Sequence, residues 1–326
     1  MVSIVERKEV EIMVHTLQLR YTLTPNDLIQ IQEKKGDFKH TDVLFKEAGL
    51  KASIHFRKQY AYETTDREHW YVKIHVNLQE LLNKGTAKNN DLEVIYNKLS
   101  EFAKNFSVAD TPRLILQRID FKKDFVIADD ILRQTYVELI KKSYQKWGYF
   151  IKNTAYKTSV EFANKSRKVI VYDKNKERCN KHTFPKTYEQ DVLRIEVQLK
   201  RRYIANHKRN TGLTDCLDNY LTEEMNEAYF NQSVLPIIFT GSYRTKENSQ
   251  EIIDSSKYRA DKKEKLKEFL EYIEHTGMNT AKEYYTVNTF KRYITALKDL
   301  DINPIMLANE LTTAQGICIE TLPALL

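Results

Sequence analysis

The chain has 326 residues, of which 41% are hydrophobic and 30% are charged. This composition is too apolar for a disordered chain, and the length allows two domains with buried cores. The formal net charge is +7. A basic chain favours polyanionic partners because Lys and Arg side chains release counter-ions from phosphates, although many basic proteins bind no nucleic acid.

The cysteines and the hydropathy pattern bear on the cellular compartment. Cys179, Cys216 and Cys318 are scattered and form neither a metal-ligand pair nor a disulfide framework, which fits a reducing cytosol. The N-terminus has no apolar signal segment, and no stretch approaches the roughly 18 apolar residues that a membrane span needs. We therefore expect a cytoplasmic protein without membrane spans.

The first half of the chain is dominated by strand patterns with helices between them. The predicted elements are a strand over 13–23, a helix starting at Thr24-Pro25, a hairpin of strands 52–62 and 69–76, a short helix over 78–82 that stops near Gly85, a helix over 92–102, a strand over 114–120, and a helix that Asp129-Asp130 caps. The 20 Tyr and 14 Phe residues suit stacking on single-stranded nucleic acid, although for any one ring a place in the core is the better expectation.

The middle of the chain continues with strands, and the last third changes character. We predict strands over 159–162 and 168–172 joined by a turn at 163–166, a loop over 178–191, and a strand over 192–199. After about residue 210 helical periodicity takes over. Leu266, Phe269, Leu270 and Ile273 form one apolar helix face that ends at Gly277.

The order of helices near 262–300 has the outline of a helix-turn-helix. Asn279-Thr280 and Asn288-Thr289 are the predicted caps of the second and third helices. An ordinary small helical bundle would share this outline. The sequence thus predicts an α+β fold, with an antiparallel-rich central sheet and flanking helices in a catalytic domain over 1–210, and a mostly helical region over 211–326.

Two of the strands each carry an arginine and an acid on one face. Residues two apart in a strand share a face, so Arg118 lies beside Asp120 and Arg194 beside Glu196. Carboxylates that lie close together repel each other, and protonation, an arginine or a divalent cation relieves the repulsion. Oxygen ligands suit Mg²⁺ or Mn²⁺. The alternative is a pair of Arg–carboxylate bridges on a solvated face.

Tyr172 ends the third strand, with Lys174 two residues on and Glu177 five residues on. A tyrosine at a strand end is usually a core residue with a solvated hydroxyl. As a nucleophile it would need its proton removed or its oxyanion stabilised, because the pKa of a free phenol is about 10. If the strand continued, Lys174 would share the face of Tyr172 and stabilise that charge.

The histidines give no metal motif. His15, His55, His69 and His75 contain no pair separated by one residue, so the His-hydrophobic-His motif of the common metal-dependent nicking fold is missing. We expect these histidines on the surface or in packing.

Taken together, the three strands resemble the replication initiators of the filamentous-phage gene II/gene X family and the staphylococcal-type rolling-circle plasmid initiators. The family pattern is a strand ending Arg-Ile/Leu-Asp, then Tyr-x-Lys-x-x-Glu, then a strand with Arg-Phe/Ile-Glu. The matching segments follow in that order over roughly residues 10–215: Arg118-Ile119-Asp120, Tyr172-x-Lys174-x-x-Glu177 and Arg194-Ile195-Glu196.

The resemblance implies a divalent-metal-dependent endonuclease that cuts one strand of a double-stranded origin and primes rolling-circle synthesis. It makes Tyr172 the nucleophile that becomes linked to the 5′ phosphate. It makes Asp120, Glu177 and Glu196 the ligands of Mg²⁺ or Mn²⁺, with Asp124 as a weaker candidate. Lys174, Arg118 and Arg194 complete the predicted catalytic set.

Basic residues supply the predicted DNA contacts, and the partners follow from the same hypothesis. The candidates are Lys168, Lys200, Arg201, Arg202, Lys291 and Arg292. The expected partners are origin DNA, a host helicase, and further copies of the chain as a homodimer or an origin-bound multimer. A conjugative relaxase with the same chemistry, a non-catalytic DNA-binding regulator and an RNA-binding protein are the alternatives.

Overall fold

The fold comes from a computed structural model. The structure describes residues 13–59, 67–84, 87, 89–110, 112–143, 146–147, 150–235, 237–308, 318–319 and 322. Within these residues the chain is an α+β protein with one large antiparallel sheet and a group of C-terminal helices, which confirms the predicted fold class.

The strands follow the period-two patterns of the sequence. They are β1 (Met13–Thr22), β2 (Val43–Glu47), β3 (Leu50–Gln59), β4 (Arg67–Asn77), β5 (Ile115–Val126), β6 (Lys146–Trp147), β7 (Phe150–Asn153), β8 (Ser159–Ala163), β9 (Arg167–Asp173), β10 (Val192–Lys200), β11 (Tyr243–Arg244) and β12 (Cys318–Ile319). In the described chain the first ten form one sheet in the order β2-β3-β4-β1-β5-β10-β9-β8-β7-β6, and β11 pairs with β12. Every pair in the large sheet is antiparallel.

The helices lie between the strands and after them. They are α1 (Pro25–Lys35), α2 (Leu78–Leu82), α3 (Leu92–Ala103), α4 (Asp130–Lys141), α5 (Lys174–Asn180), α6 (Arg201–Thr211), α7 (Glu223–Val234), α8 (Lys246–Ser255), α9 (Ala260–Thr276), α10 (Met278–Tyr284) and α11 (Val287–Asp299). None of the helices in the described residues is both long and apolar enough to cross a membrane.

The two faces of the sheet differ in chemistry. Ile119, Phe121 and Phe125 of β5 are buried on one face, where α6 and α7 pack and the ring of Tyr229 stacks on Phe121 at 6.0 Å. The opposite face carries charged side chains, which we call the polar face. The predicted boundary at residue 210 falls in the last turn of α6, and α7 beyond it packs on β5 and β10.

The register of the central strands places distant residues side by side on the polar face. Arg194 of β10 is opposite Asp124 of β5 on one side and opposite Tyr172 of β9 on the other. Gln198 is opposite Asp120. Because β10 lies between β5 and β9, the three predicted motif strands are adjacent.

Several helix starts follow the capping residues of the sequence. Thr24 and Asp27 form a capping box at α1, with Pro25 in the first turn. Asp129 accepts hydrogen bonds from the backbone N–H groups of Ile131 and Leu132 at the start of α4. The first helix and the fourth therefore begin where their caps predict.

The chain around Tyr172 departs from the prediction. β9 ends at Asp173, whose side chain accepts a hydrogen bond from the N–H of Lys176 and caps α5. Lys174 is thus the first residue of a helix and not a continuation of the strand. The predicted loop over 178–191 begins inside α5 and includes a 3-10 turn at Thr187–Glu189.

Three further boundaries differ from the sequence pattern. α2 ends at Leu82 because Asn83 adopts a left-handed conformation, and Gly85 lies outside the described residues. α10 begins at Met278, directly after Gly277, and not at Asn279-Thr280. The cap of α11 is Thr286, whose hydroxyl accepts a hydrogen bond from the N–H of Thr289.

The last three helices share one aromatic core. The ring of Phe269 in α9 contacts Tyr285, Phe290 and Tyr293 at centroid distances of 5.2, 5.5 and 5.2 Å. This packing fixes α11 against α9 and leaves the side chains of Lys291 and Arg292 exposed. The unit has the helix–turn–helix–turn–helix outline that the sequence predicts.

Candidate active site

A pocket of about 620 Å³ opens on the polar face of the sheet. β1, β4, β5, β9 and β10 supply its floor, and α2 and α5 supply parts of its wall. Six of the predicted catalytic and metal-ligating residues line it: Tyr172, Lys174, Arg118, Asp120, Glu177 and Glu196. The seventh, Arg194, lies beneath the pocket and has no exposed surface. The structure therefore brings the predicted residues together.

Tyr172 lies on the wall of the pocket with 9% of its surface exposed. Its hydroxyl donates a 2.6 Å hydrogen bond to Oε1 of Glu196. Burial raises the pKa of the Tyr172 phenol well above its usual value, and the charge of Glu196 adds to the rise. The phenol is therefore protonated in this state, with a carboxylate in place to accept its proton.

Lys174 reaches Tyr172 from α5 and not along the strand. Its Nζ lies 5.7 Å from the centre of the Tyr172 ring. The same Nζ lies 2.9 Å from Oε2 of Glu177 and 3.5 Å from Oε1 of Glu189. The predicted proximity of this ammonium group to the phenol is correct, although the strand geometry from which we inferred it is wrong.

Arg194 anchors the polar face. Its guanidinium binds Asp124 through two hydrogen bonds, from Nε at 2.5 Å and from Nη2 at 2.8 Å. Its Nη1 lies 3.9 Å from Oε1 of Glu196 and has no hydrogen-bond partner among the described residues. A buried N–H group without a partner is costly. An anionic ligand oxygen near Glu196 would satisfy this group.

Asp124 is engaged within the sheet. Its carboxylate accepts hydrogen bonds from Arg194 and from Nζ of Lys122, the latter at 2.7 Å. Burial alone would raise the pKa of Asp124, but the two cations outweigh burial and lower it. Since both oxygens are bound by cations, Asp124 is a structural partner of Arg194 in this state.

Asp120 and Glu196 are the two acids whose charges interact. Arg118 binds the Asp120 carboxylate with two hydrogen bonds of 2.8 Å. Burial raises the pKa of Asp120 to about 7, the Arg118 cation opposes this rise, and the Glu196 charge adds to it. Such a mutual destabilisation of two carboxylates is relieved when a cation binds between them.

Glu177 has other partners. Its carboxylate is paired with Lys174 and with Lys181, one turn further along α5. These hydrogen bonds lower the pKa of Glu177, although burial alone would raise it. Glu177 therefore lines the same pocket as the other two predicted ligands, but its carboxylate is held by lysines.

The residues fit a divalent cation that is completed by substrate. In the part of the chain that the structure describes, no group of three His, Cys, Asp or Glu side chains is arranged to hold a metal ion. Magnesium in phosphate-processing sites is usually held by one or two carboxylates together with substrate phosphate oxygens and water. Asp120 and Glu196 meet that requirement.

Comparison with known proteins adds no assignment. No protein-family model and no curated protein sequence matches this chain. The function therefore has to be argued from the geometry of the pocket.

Three functional residues escaped the sequence pattern. His15 and His75, which we expected on the surface or in packing, line the pocket. Burial lowers the pKa of His15 well below its usual value, and the Arg194 charge lowers it further. Lys122 is almost fully buried, and burial lowers its pKa to about 8 against the attraction of Asp124. The polar position of Lys122 between Asp120 and Asp124 was the only available sequence signal.

The predicted DNA-binding residues divide into two groups. Lys168 is paired with Glu161 at 2.9 Å, Lys200 donates to the backbone oxygen of Asn164, and Arg201 binds Asp215 and the backbone oxygen of Leu116. Arg202, Lys291 and Arg292 are exposed. The exposed group is available to a ligand without breaking a contact within the protein.

Proposed function

We propose that the protein is a rolling-circle replication initiator that nicks one strand of origin DNA and joins it again through a tyrosine nucleophile. The single observation that carries this proposal is the 2.6 Å hydrogen bond from the Tyr172 hydroxyl to Glu196 within a pocket lined by cations. A nucleophilic hydroxyl bonded to its general base is the arrangement that transesterification requires.

The reaction follows from these contacts. The Tyr172 oxygen forms a bond to the scissile phosphorus, and its proton passes to Glu196. The bond from phosphorus to the 3′ oxygen breaks, and this oxygen takes up a proton from solvent to leave a 3′ hydroxyl. The product is a 5′-phosphotyrosine bond. The reverse steps join the strand again.

The cations of the pocket stabilise the transition state. Nη1 of Arg194 and Nζ of Lys174 lie near the reacting phenol, where extra negative charge develops on the phosphoryl oxygens. Arg118 holds Asp120 in place. Asp120 and Glu196, with Glu177 as the third predicted ligand, would hold Mg²⁺ or Mn²⁺. The cation, when bound, supplies polarisation of the phosphoryl oxygens.

The partners of the reaction follow from the same proposal. The substrate is double-stranded origin DNA and the nicked single strand, α9–α11 contact the duplex, and a host helicase unwinds it. The protein acts in the cytoplasm as a homodimer or an origin-bound multimer. A conjugative relaxase would use the same chemistry at an origin of transfer.

One observation favours a second candidate, a non-catalytic DNA-binding regulator. Asp120, Asp124 and Glu177 are all paired with cations. Such pairing is also what purely structural ion pairs on a sheet would show.

The deciding experiment is covalent capture on supercoiled DNA that carries the replicon of this chain. With Mg²⁺ or Mn²⁺ we expect nicking and a protein–DNA adduct that survives detergent. Tyr172→Phe abolishes the adduct, whereas Tyr156→Phe, an exposed tyrosine of the same pocket, retains it. An adduct of undiminished yield in Tyr172→Phe refutes the nucleophile, and specific binding without any nicking supports the regulator.

A further inference from the structure

A stacked pair of rings lies on the polar face far from the pocket. The ring of His55 on β3 stacks on Tyr71 of β4, with centroids 5.3 Å apart and planes 16° apart. His40 packs edge-on against His55 at 5.4 Å, and the Arg20 guanidinium lies 5.8 Å from the centre of the Tyr71 ring. The rings of His55 and Tyr71 are partly exposed.

Cations surround this pair of rings. Lys51, Lys73 and Arg20 occupy the same face, because they alternate with the buried residues of β3, β4 and β1. Among the described side chains of these three strands there is no carboxylate on this face. We call the surface formed by Arg20, Lys51, His55, Tyr71 and Lys73 the β3–β4 face.

The titration of these groups reflects uncompensated positive charge. Burial lowers the pKa of Lys73, and the Arg118 cation lowers it further. Burial also lowers the pKa of His55, with Lys73 and His40 adding to the effect. A bound anion would relieve this repulsion.

The β3–β4 face is continuous with the pocket. His75 of β4 is opposite Gln18 of β1, and Gln18 is opposite Arg118 of β5, beside Asp120. From Tyr172 to Tyr71 the path crosses four strand spacings and runs ten residues along the strands. With the usual strand dimensions this separation is about 40 Å. A polymer is needed to reach from one end to the other.

We propose that the β3–β4 face binds single-stranded DNA that is continuous with the strand held at Tyr172. The inference rests on the proposed function and extends it by naming where the displaced or uncut part of that strand lies. Lys51, Lys73 and Arg20 contact its phosphates, and the rings of His55 and Tyr71 stack on its bases.

The chemistry selects a single strand over a duplex. Bases in a duplex are stacked on one another, so their faces are closed to protein rings. Single-stranded sites combine a basic surface with aromatic platforms, and both are present here. At a spacing of about 3.4 Å per stacked nucleotide, the path from Tyr172 to Tyr71 holds about twelve nucleotides.

The test measures binding of a fluorescent oligo-dT of 20 nucleotides to the full chain carrying Tyr172→Phe, which removes cleavage. Lys51→Glu and Lys73→Glu each weaken binding at least about fivefold and make it less sensitive to salt. Lys104→Glu, an exposed lysine after α3, changes affinity less than about twofold. The matched pair Tyr71→Phe and Tyr71→Leu separates stacking from folding, since only Tyr71→Leu loses the ring and about fivefold in affinity.

Adduct formation is scored in parallel on the Tyr172 background. If the adduct forms but the Lys51, Lys73 and Tyr71 variants bind like the parent, the inference on the β3–β4 face fails alone. If these variants lose binding but no adduct ever forms, the proposed function fails and the binding surface remains. Tighter binding of oligo-U RNA than of oligo-dT overturns the assignment to DNA.

Discussion

Tyr172 and Glu196 lie on neighbouring strands, and the phenol of the one donates to the carboxylate of the other at 2.6 Å. The register explains the contact, because Tyr172 is directly opposite Arg194 and Glu196 is two residues further along the same face. Diagonal neighbours across an antiparallel pair are within reach of long side chains. The phenol therefore meets a proton acceptor without any rearrangement of the backbone.

Replacing this acceptor gives the first prediction. In Glu196→Gln the shape is retained but the amide cannot take the phenol proton, so we expect the rate of adduct formation to fall by about 10²–10⁴. The measurement is single-turnover adduct formation with Mg²⁺. Glu161→Gln is the matched control, because Glu161 lies on the same face two strands away and is paired with Lys168. An equal loss in both variants would contradict the role of Glu196.

Arg133 gives the second prediction. This buried residue of α4 binds Asp173, the cap of α5, at 2.9 Å and also binds Asp130. Arg133→Met leaves the Asp173 charge buried without its partner, and we expect unfolding free energy to fall by about 3–5 kcal/mol in urea titration. Adding Asp173→Asn removes that charge and keeps the cap, so it should recover part of the loss. Arg113→Met, at an exposed arginine, should have little effect.

The third prediction concerns pH and the carboxylate of Asp215. Hydrogen bonds from Arg201 and Lys208 lower the pKa of Asp215 to about 2, although burial alone would raise it. Because the folded pKa is below the unfolded value of about 3.9, the stabilisation is full above pH 4 and is lost as the pH falls towards 2.

Asp215→Asn tests this directly. Since Arg201 and Lys208 are partly exposed, we expect a loss of only about 1–2 kcal/mol near neutral pH. The gap between the parent and the variant, measured by urea unfolding, should shrink between about pH 4 and pH 2. Asp110→Asn, at an exposed residue, is the control. A gap that is constant through this range would show that the ion pairs contribute nothing.

The fourth prediction concerns α11. Lys291 and Arg292 are exposed while Phe290 and Tyr293 fix the helix to α9. Lys291→Glu and Arg292→Glu should each weaken binding of duplex origin DNA several-fold, because phosphate contacts become repulsive. Lys265→Glu, on the exposed side of α9, should not. Electrophoretic mobility shifts at two salt concentrations measure the effect, and unchanged affinity in both α11 variants would exclude α11 from the interface.

The sequence was sufficient for the elements in which one side chain pattern dominates. The alternation of β1, β5 and β10 and the helical spacing of Leu266, Phe269 and Leu270 reflect burial of a single face, which is a local property. The convergence of Tyr172 with Glu196 and Asp120 was also expected, because each lies on the polar face of its strand.

Other features depend on contacts between distant residues. Strand periodicity cannot show that Asp173 caps a helix and thereby takes Lys174 out of β9, since the cap bond forms to the N–H of Lys176 after the chain has turned. Nor does it show that Arg133, 40 residues earlier, holds Asp173. His15 enters the pocket through a shift in the pairing of β1 with β5 between Val14 and Thr16, which inverts the expected face.

The order of strands in the sheet also governs when the pocket can exist. β10 separates β5 from β9, so Asp120 and Tyr172 have no common neighbour until residues 192–200 have been synthesised and inserted between them. The inserted strand itself brings Glu196. A nascent chain emerging from the ribosome therefore carries the tyrosine before it can cut DNA, and competence for strand scission arises in one step with completion of the sheet.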